Sequence, residues 1–174
     1  MHPMIYSTEV PPHSLLLRYC DSGYTDCYVT ELPFPVTAAQ FIEAFYTTPL
    51  FKLERLLLSA MLRRPSSDAQ AQELGLGCRH SFAIWSVEAR EKDQTILAAG
   101  RTRSWLSVTP GEPVGTRLFF GTAVVPRHSA SGAQAMGFWF WALGAFHRVY
   151  SRALLRSARS RLLAQAGSLP GGGA

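Results

Sequence analysis

AMGFWFWALGAFHRVYSRALLRSARSRLLAQ, residues Ala135 to Gln165, decides how the rest of the chain is read. Its first half sets Met136, Phe138, Trp139, Phe140, Trp141, Leu143 and Phe146 around the helix with no polar face between them, the pattern of a segment enclosed on most sides. The apolar run stops at His147 and Arg148 after about a dozen residues, short of the roughly twenty that cross a bilayer, so a buried core helix is expected. The second half is amphipathic. Phe146, Val149, Tyr150 and Ala153 recur at helical spacing on one face, and Arg148, Arg152, Arg156 and Arg159 on the opposite one. Ser129 or Ser131, after the Pro126 breaker, offers an N-cap oxygen. The arginines fall where a helix C-terminus favours cations, and Gly167 with Pro170 closes the helix.

Outward from that helix the chain reads as shorter helices and sheet. Tyr24 to Leu32, YTDCYVTEL, alternates apolar and polar positions and is a strand ended by Pro33 and Pro35. Before it, Met1 to His13 carries Pro3, Pro11 and Pro12 and is expected to form an irregular arm, with Ser14 to Cys20 extending as a short edge strand. Thr37 is placed to cap a helix in which Phe41, Ile42, Phe45 and Tyr46 share a face. Pro49 separates it from a second, LFKLERLLLSAML, where Leu50, Leu53, Leu57 and Met61 line up. Ser66 or Ser67 caps a third short piece through Leu74, ended by Gly75 and Gly77. From Cys78 onward SFAIWSVEAR, TILAAG, RTRSWLSVT and TRLFFGTAVV read as strands, separated by Lys92-Asp93, Gly100 and Pro110 to Pro113. Short turns between neighbours favour antiparallel pairing, and helices segregated to one side of such a sheet make the class α+β. No internal repeat is present. One domain over residues 14–166 is expected, preceded by the arm at 1–13 and followed by a disordered tail, GSLPGGGA, at 167–174.

Composition narrows the function classes. A chain of 174 residues with 47% hydrophobic and 17% charged side chains suits one domain with a sizeable core. The N-terminus lacks the basic stretch and apolar run of a secretory signal, and no segment has the length and apolarity of a membrane span, so a cytoplasmic protein is expected. Cys20, Cys27 and Cys78 contain no CxxC pair and leave an odd thiol over, which argues for reduced cysteines and against a disulfide framework or a zinc site. The net charge of +5 is lopsided: no acid follows Glu112, whereas Arg117, Arg127, Arg148, Arg152, Arg156, Arg159 and Arg161 do. A solvated helix back is the commoner meaning of such a stripe. The functional alternative is an anionic lipid surface or an acidic partner meeting Arg148, Arg152, Arg156 and Arg159; no nucleic-acid partner is expected.

The order of elements, a strand, two or three helices, an antiparallel meander and a long closing helix, looks like the START-like or helix-grip architecture. More specifically, FHRVYSRALLRSA at Phe146 to Ala158, together with YTDCYVTELP at Tyr24 to Pro33, resembles a bacterial family of unknown function whose members end in a similar helix and are sometimes fused to short-chain dehydrogenase-like domains. The likeness runs from about Tyr24 to Arg161. It implies a curved sheet wrapped around the last helix and enclosing an apolar cavity, and it supplies no catalytic residues to carry over. Where an acidic and histidine-containing stretch would be expected in the sheet, this chain has AAGRTRSWLSV.

Candidate chemistry is sparse. Asp26 lies in the first strand, where an inward carboxylate has to be paired, and a water-facing acid is the blander reading. His147 is an acid or base if it faces a cavity mouth, or a structural hydrogen-bond partner if it does not. His80 and Glu88 have the same parity within one expected strand and would project from one sheet face. The chain contains no GxSxG, no HExxH and no helix-opening glycine fingerprint, so neither a metal nor a nucleotide cofactor is expected. Trp85, Trp105, Phe119, Trp141 and Phe146 are the aromatic side chains expected to line a pocket for a hydrophobic or amphipathic small molecule; filling an ordinary core is the competing use of such residues. A binding module is therefore the leading expectation. A small isomerase, cyclase or dehydratase-like enzyme with Asp26, His80 or His147 as its acid or base is the alternative.

Overall fold

A computed structural model of the chain describes residues 5–21, 23–62, 66–125 and 137–168, and at 57–62 and 137–146 it describes the helical backbone alone. The first long strand, β2 (Tyr24–Leu32), follows a two-residue strand β1 (Tyr6–Ser7) and a 3₁₀ turn at Leu15–Tyr19. Three helices come next, α1 (Ala38–Tyr46), α2 (Pro49–Leu62) and α3 (Asp68–Leu76). The meander β3 (Ser81–Phe82), β4 (Trp85–Glu91), β5 (Gln94–Ala99), β6 (Thr102–Gly111) and β7 (Gly115–Val124) leads to the closing helix α4 (Gly137–Ser168). All strand pairs are antiparallel, in the order β1-β2-β7-β6-β5-β4-β3. This is an open seven-stranded α+β sheet with the C-terminal helix packed on it, a helix-grip-like layout.

Local chemistry sets the helix ends. Thr37 and Gln40 form a reciprocal capping box at the start of α1, and Ser67 and Gln70 form a second at the start of α3. Gly77 closes α3 in the left-handed region at φ +83°. Arg55 ties α2 to the segment before α3: its Nε donates to Ser66 Oγ at 2.9 Å, its Nη1 to Asp68 Oδ1 at 2.8 Å, and its guanidinium lies 5.2 Å above the Phe82 ring.

The sheet is covered on both faces, and the period-two alternation of each strand divides the core accordingly. Tyr28, Leu32, Leu106, Leu118 and Phe120 point to the helices, where they meet Phe41, Phe45, Leu154, Leu155 and Ala158. Cys27, Val29, Ile96, Trp105 and Phe119 point the other way and are roofed by Leu15 and Leu16 of the 3₁₀ turn. A Cβ on Gly121 would stand 2.4 Å from Leu16 Cδ2 and 2.9 Å from the Asp26 carbonyl oxygen, so the roof comes this close only over a glycine.

Four expectations are corrected. Ser14 to Cys20 is a 3₁₀ turn instead of an edge strand, because Leu15 and Leu16 both have to reach the same sheet face. SFAIWSVEAR is a hairpin instead of one strand, turning at Ala83-Ile84 with Ala83 at φ +52°, so Trp85 begins a new strand. A register shift between Val87 and Ala89 then sends Val87 to the helix side and Ala89 to the other. On α2, Leu53 is 56% exposed, and the buried positions beside it are Phe51 and Arg55. On α4 the buried row is Ser151, Leu154, Leu155, Ala158 and Leu162, whereas Val149 is 69% exposed. Of the face expected from Phe146, Val149, Tyr150 and Ala153, Tyr150 packs against the core and Val149 does not, so the inner face is rotated toward Ser151 and Leu154; the Phe146 side chain lies outside the described residues. The proposed caps Ser129 and Ser131 lie outside the described residues.

Candidate functional site

Strand β2 turns Tyr24, Asp26 and Tyr28 to the helix side, and its register sets Asp26 directly opposite Thr122 of β7. The Asp26 side chain is only 8% exposed, a position a carboxylate holds when donors surround it. It accepts from Thr122 N–H at 3.2 Å and from Thr122 Oγ1–H at 2.5 Å on one oxygen, and from the Tyr28 and Tyr24 hydroxyls at 3.2 and 3.4 Å on the other. Burial first, and the Asp26 charge second, push both phenols above their ordinary value, so they stay protonated and keep donating.

Helix α4 brings His147 onto the same group. Its Nε2 lies 2.7 Å from Thr122 Oγ1 and 3.8 Å from Asp26 Oδ2, the second distance too long for a direct hydrogen bond. Thr122 has one hydroxyl proton and gives it to Asp26, so it can only accept from His147. The relay therefore runs from His147 Nε2–H to Thr122 to Asp26. Ser151, one turn on, approaches the same nitrogen at 3.5 Å. A nucleophile triad needs its serine and its carboxylate on opposite ring nitrogens, so this arrangement is not one.

Thr122, His147 and Ser151 border a cavity of about 240 Å³ between the inner sheet face and α4. Phe45, Phe51, Trp85 and Phe120 supply its aromatic side; Thr122, His147 and Ser151 form a polar wall. A second polar group comes from Glu54 of α2, which accepts a hydrogen bond from the Tyr150 hydroxyl of α4. Burial pushes the Glu54 carboxyl above its ordinary value, with the Tyr150 hydrogen bond opposing, and burial followed by Glu54 raises the Tyr150 phenol. Tyr46, fully buried, also lines the cavity, and its hydroxyl has no hydrogen-bond partner among the described residues.

Of the residues read from sequence, Asp26 and His147 are brought together and His80 is not. His80 lies exposed before β3, its carbonyl accepting from Val87 N–H at 2.8 Å, and the hairpin removes the shared strand with Glu88. Glu88 faces the 3₁₀ turn, pairing with Arg103 Nε at 2.5 Å and accepting from the Tyr19 hydroxyl. Trp85 borders the cavity. Trp105 and Phe119 lie on the opposite sheet face, packed on each other with centroids 6.1 Å apart under the 3₁₀ turn. The side chains of Trp141 and Phe146 lie outside the described residues. Glu54, Tyr46 and Thr122 were not singled out by sequence. Tyr46 reads simply as part of the apolar face of α1, and nothing local marks Glu54 or Thr122 as inward.

The arginine stripe lies along β2. Arg148 neighbours the Tyr24 hydroxyl, Arg152 stacks 5.3 Å above the Tyr28 ring and Arg159 Nε donates to the Glu31 carbonyl at 2.9 Å; Arg148, Arg152 and Arg156 are all exposed. Arg152 and Arg159 therefore also tie the helix to the strand. Among the described residues no group of His, Cys, Asp and Glu has the arrangement of a metal site, and no helix is long and apolar enough to cross a membrane.

No family model, curated protein or solved structure matches this chain.

Proposed function

We propose that this chain is a ligand-binding domain of START-like, helix-grip character, holding a small amphipathic molecule between its sheet and α4. The observation that carries the reading is the cavity, with rings of Phe45, Phe51, Trp85 and Phe120 on one side and the hydroxyl and imidazole groups of Thr122, Ser151 and His147 on the other. An aromatic lining with a few fixed polar groups is the usual constitution of a small-molecule site. At about 240 Å³ it falls below the roughly 300–1,000 Å³ of drug-sized sites, which points to a ligand the size of a single ring or a short chain. The Asp26–Thr122–His147 relay fixes the imidazole and so gives the ligand's polar end one orientation.

The test is displacement. An environment-sensitive apolar dye is expected to bind the folded protein at one saturable site, with medium-chain amphiphiles competing it away. Binding that does not saturate, or that appears only as the protein loses its tertiary packing, removes the reading.

A further inference from the structure

Tyr46 poses a question that binding alone leaves open. A buried hydroxyl in a native interior almost always has a partner, and one without it calls for an explanation. Here the hydroxyl is fully buried and has no partner among the described residues, and the residue that carries it is one of those lining the cavity. Glu54 borders the same cavity between aromatic walls. A hydrogen-bond donor and a carboxylate on residues that line one space are the two groups that enolisation of a ketone requires: the donor for the oxygen that gains charge, the base for the carbon that loses a proton.

We propose that the cavity catalyses proton transfer at the carbon next to a ketone, with Glu54 carrying the proton and Tyr46 donating its hydrogen bond to the carbonyl oxygen. The proposal rests on the cavity being a ligand site. Its substrate class is a small β,γ-unsaturated ketone, which the step converts to the conjugated isomer. The Glu54 carboxylate takes a proton from the carbon between the carbonyl and the double bond. The C–H electron pair becomes a new carbon–carbon double bond, and the carbonyl π pair moves to oxygen, where Tyr46 holds it as a dienolate. The carbonyl then re-forms as the γ-carbon takes the same proton back from the Glu54 carboxyl. Nothing is oxidised or reduced, and no atom is gained or lost. Burial supports both roles: it pushes the Glu54 carboxyl up, making it a stronger base, and pushes the Tyr46 phenol up, keeping its proton in place to donate.

Cyclohex-3-en-1-one is the probe for turnover, followed by the ultraviolet absorbance of its conjugated product, and cyclohexanone, which cannot isomerise, is the probe for binding. The wild-type protein is expected to exceed the buffer rate. Glu54→Gln, which keeps an acceptor for Tyr150, is expected to lose about 10²-fold or more while still binding cyclohexanone as the wild type does, and Tyr46→Phe to lose about 10²-fold and to bind cyclohexanone more weakly, since it lacks the donor to the carbonyl oxygen. If wild type and Glu54→Gln bind cyclohexanone equally and isomerise the enone equally, proton transfer is overturned and the binding site survives. If the wild type binds no cyclohexanone, this substrate class falls and the binding site is judged by dye displacement. Should Glu54→Gln not fold, Tyr46→Phe carries the test alone, and an unchanged rate in that variant overturns the role of its hydroxyl.

Discussion

The Tyr46 hydroxyl sets function against stability within one side chain. It is buried without a partner among the described residues, and leaving a hydroxyl unsatisfied in an interior costs about 1–3 kcal/mol. Tyr46→Phe keeps the ring contacts to Phe45, Phe51 and Phe82 and removes only that oxygen. The variant is therefore expected to be more stable than the wild type by about 1 kcal/mol in chemical denaturation with an unchanged m-value; a loss of more than about 1 kcal/mol would show that the hydroxyl has a structural partner. Asp26 and His147 could be picked out from sequence because a carboxylate inside an alternating strand and an imidazole at an apolar-to-basic boundary are each conspicuous. Their connection could not be, since it passes through Thr122, ninety-six residues from Asp26, and depends on strand register. Glu54 stayed hidden because an acid within an amphipathic helix normally faces water, and only the approach of Tyr150 from α4 turns it into a cavity group.

At the scale of the element, the type of most segments was legible and the orientation of α4 was not. Capping boxes, the glycine stop of α3 and the strand alternation of β2 are local chemistry, so they read directly. The inner face of α4 is decided by the sheet it packs on. The arginine row stays largely exposed, and two of its members also reach β2: Arg152 over the Tyr28 ring and Arg159 to the Glu31 carbonyl. The difference is measurable. Leu155 is fully buried and Val149 is 69% exposed, so Leu155→Ala is expected to cost about 2–5 kcal/mol and Val149→Ala less than about 0.5 kcal/mol. Similar losses at the two positions would mean that α4 is rotated from the face described.

For the whole molecule, the order of the strands explains why a cavity forms where it does. β2 pairs with β7, so a strand that precedes the three helices sits beside the last member of the meander, and α4 returns across both. The 3₁₀ turn and the N-terminal segment cover the outer sheet face, taking Trp105 and Phe119 into a separate core and leaving the inner face to the helices. Aromatic content alone could not distinguish these two cores, because both use the same residue types and only strand parity separates them. The account stands on the inner space being a ligand site. A crystal structure grown with cyclohexanone tests it most directly: density for the ketone is expected between Trp85 and Tyr150 with its oxygen within hydrogen-bond distance of the Tyr46 hydroxyl, and an inner space filled by the protein's own side chains would contradict it.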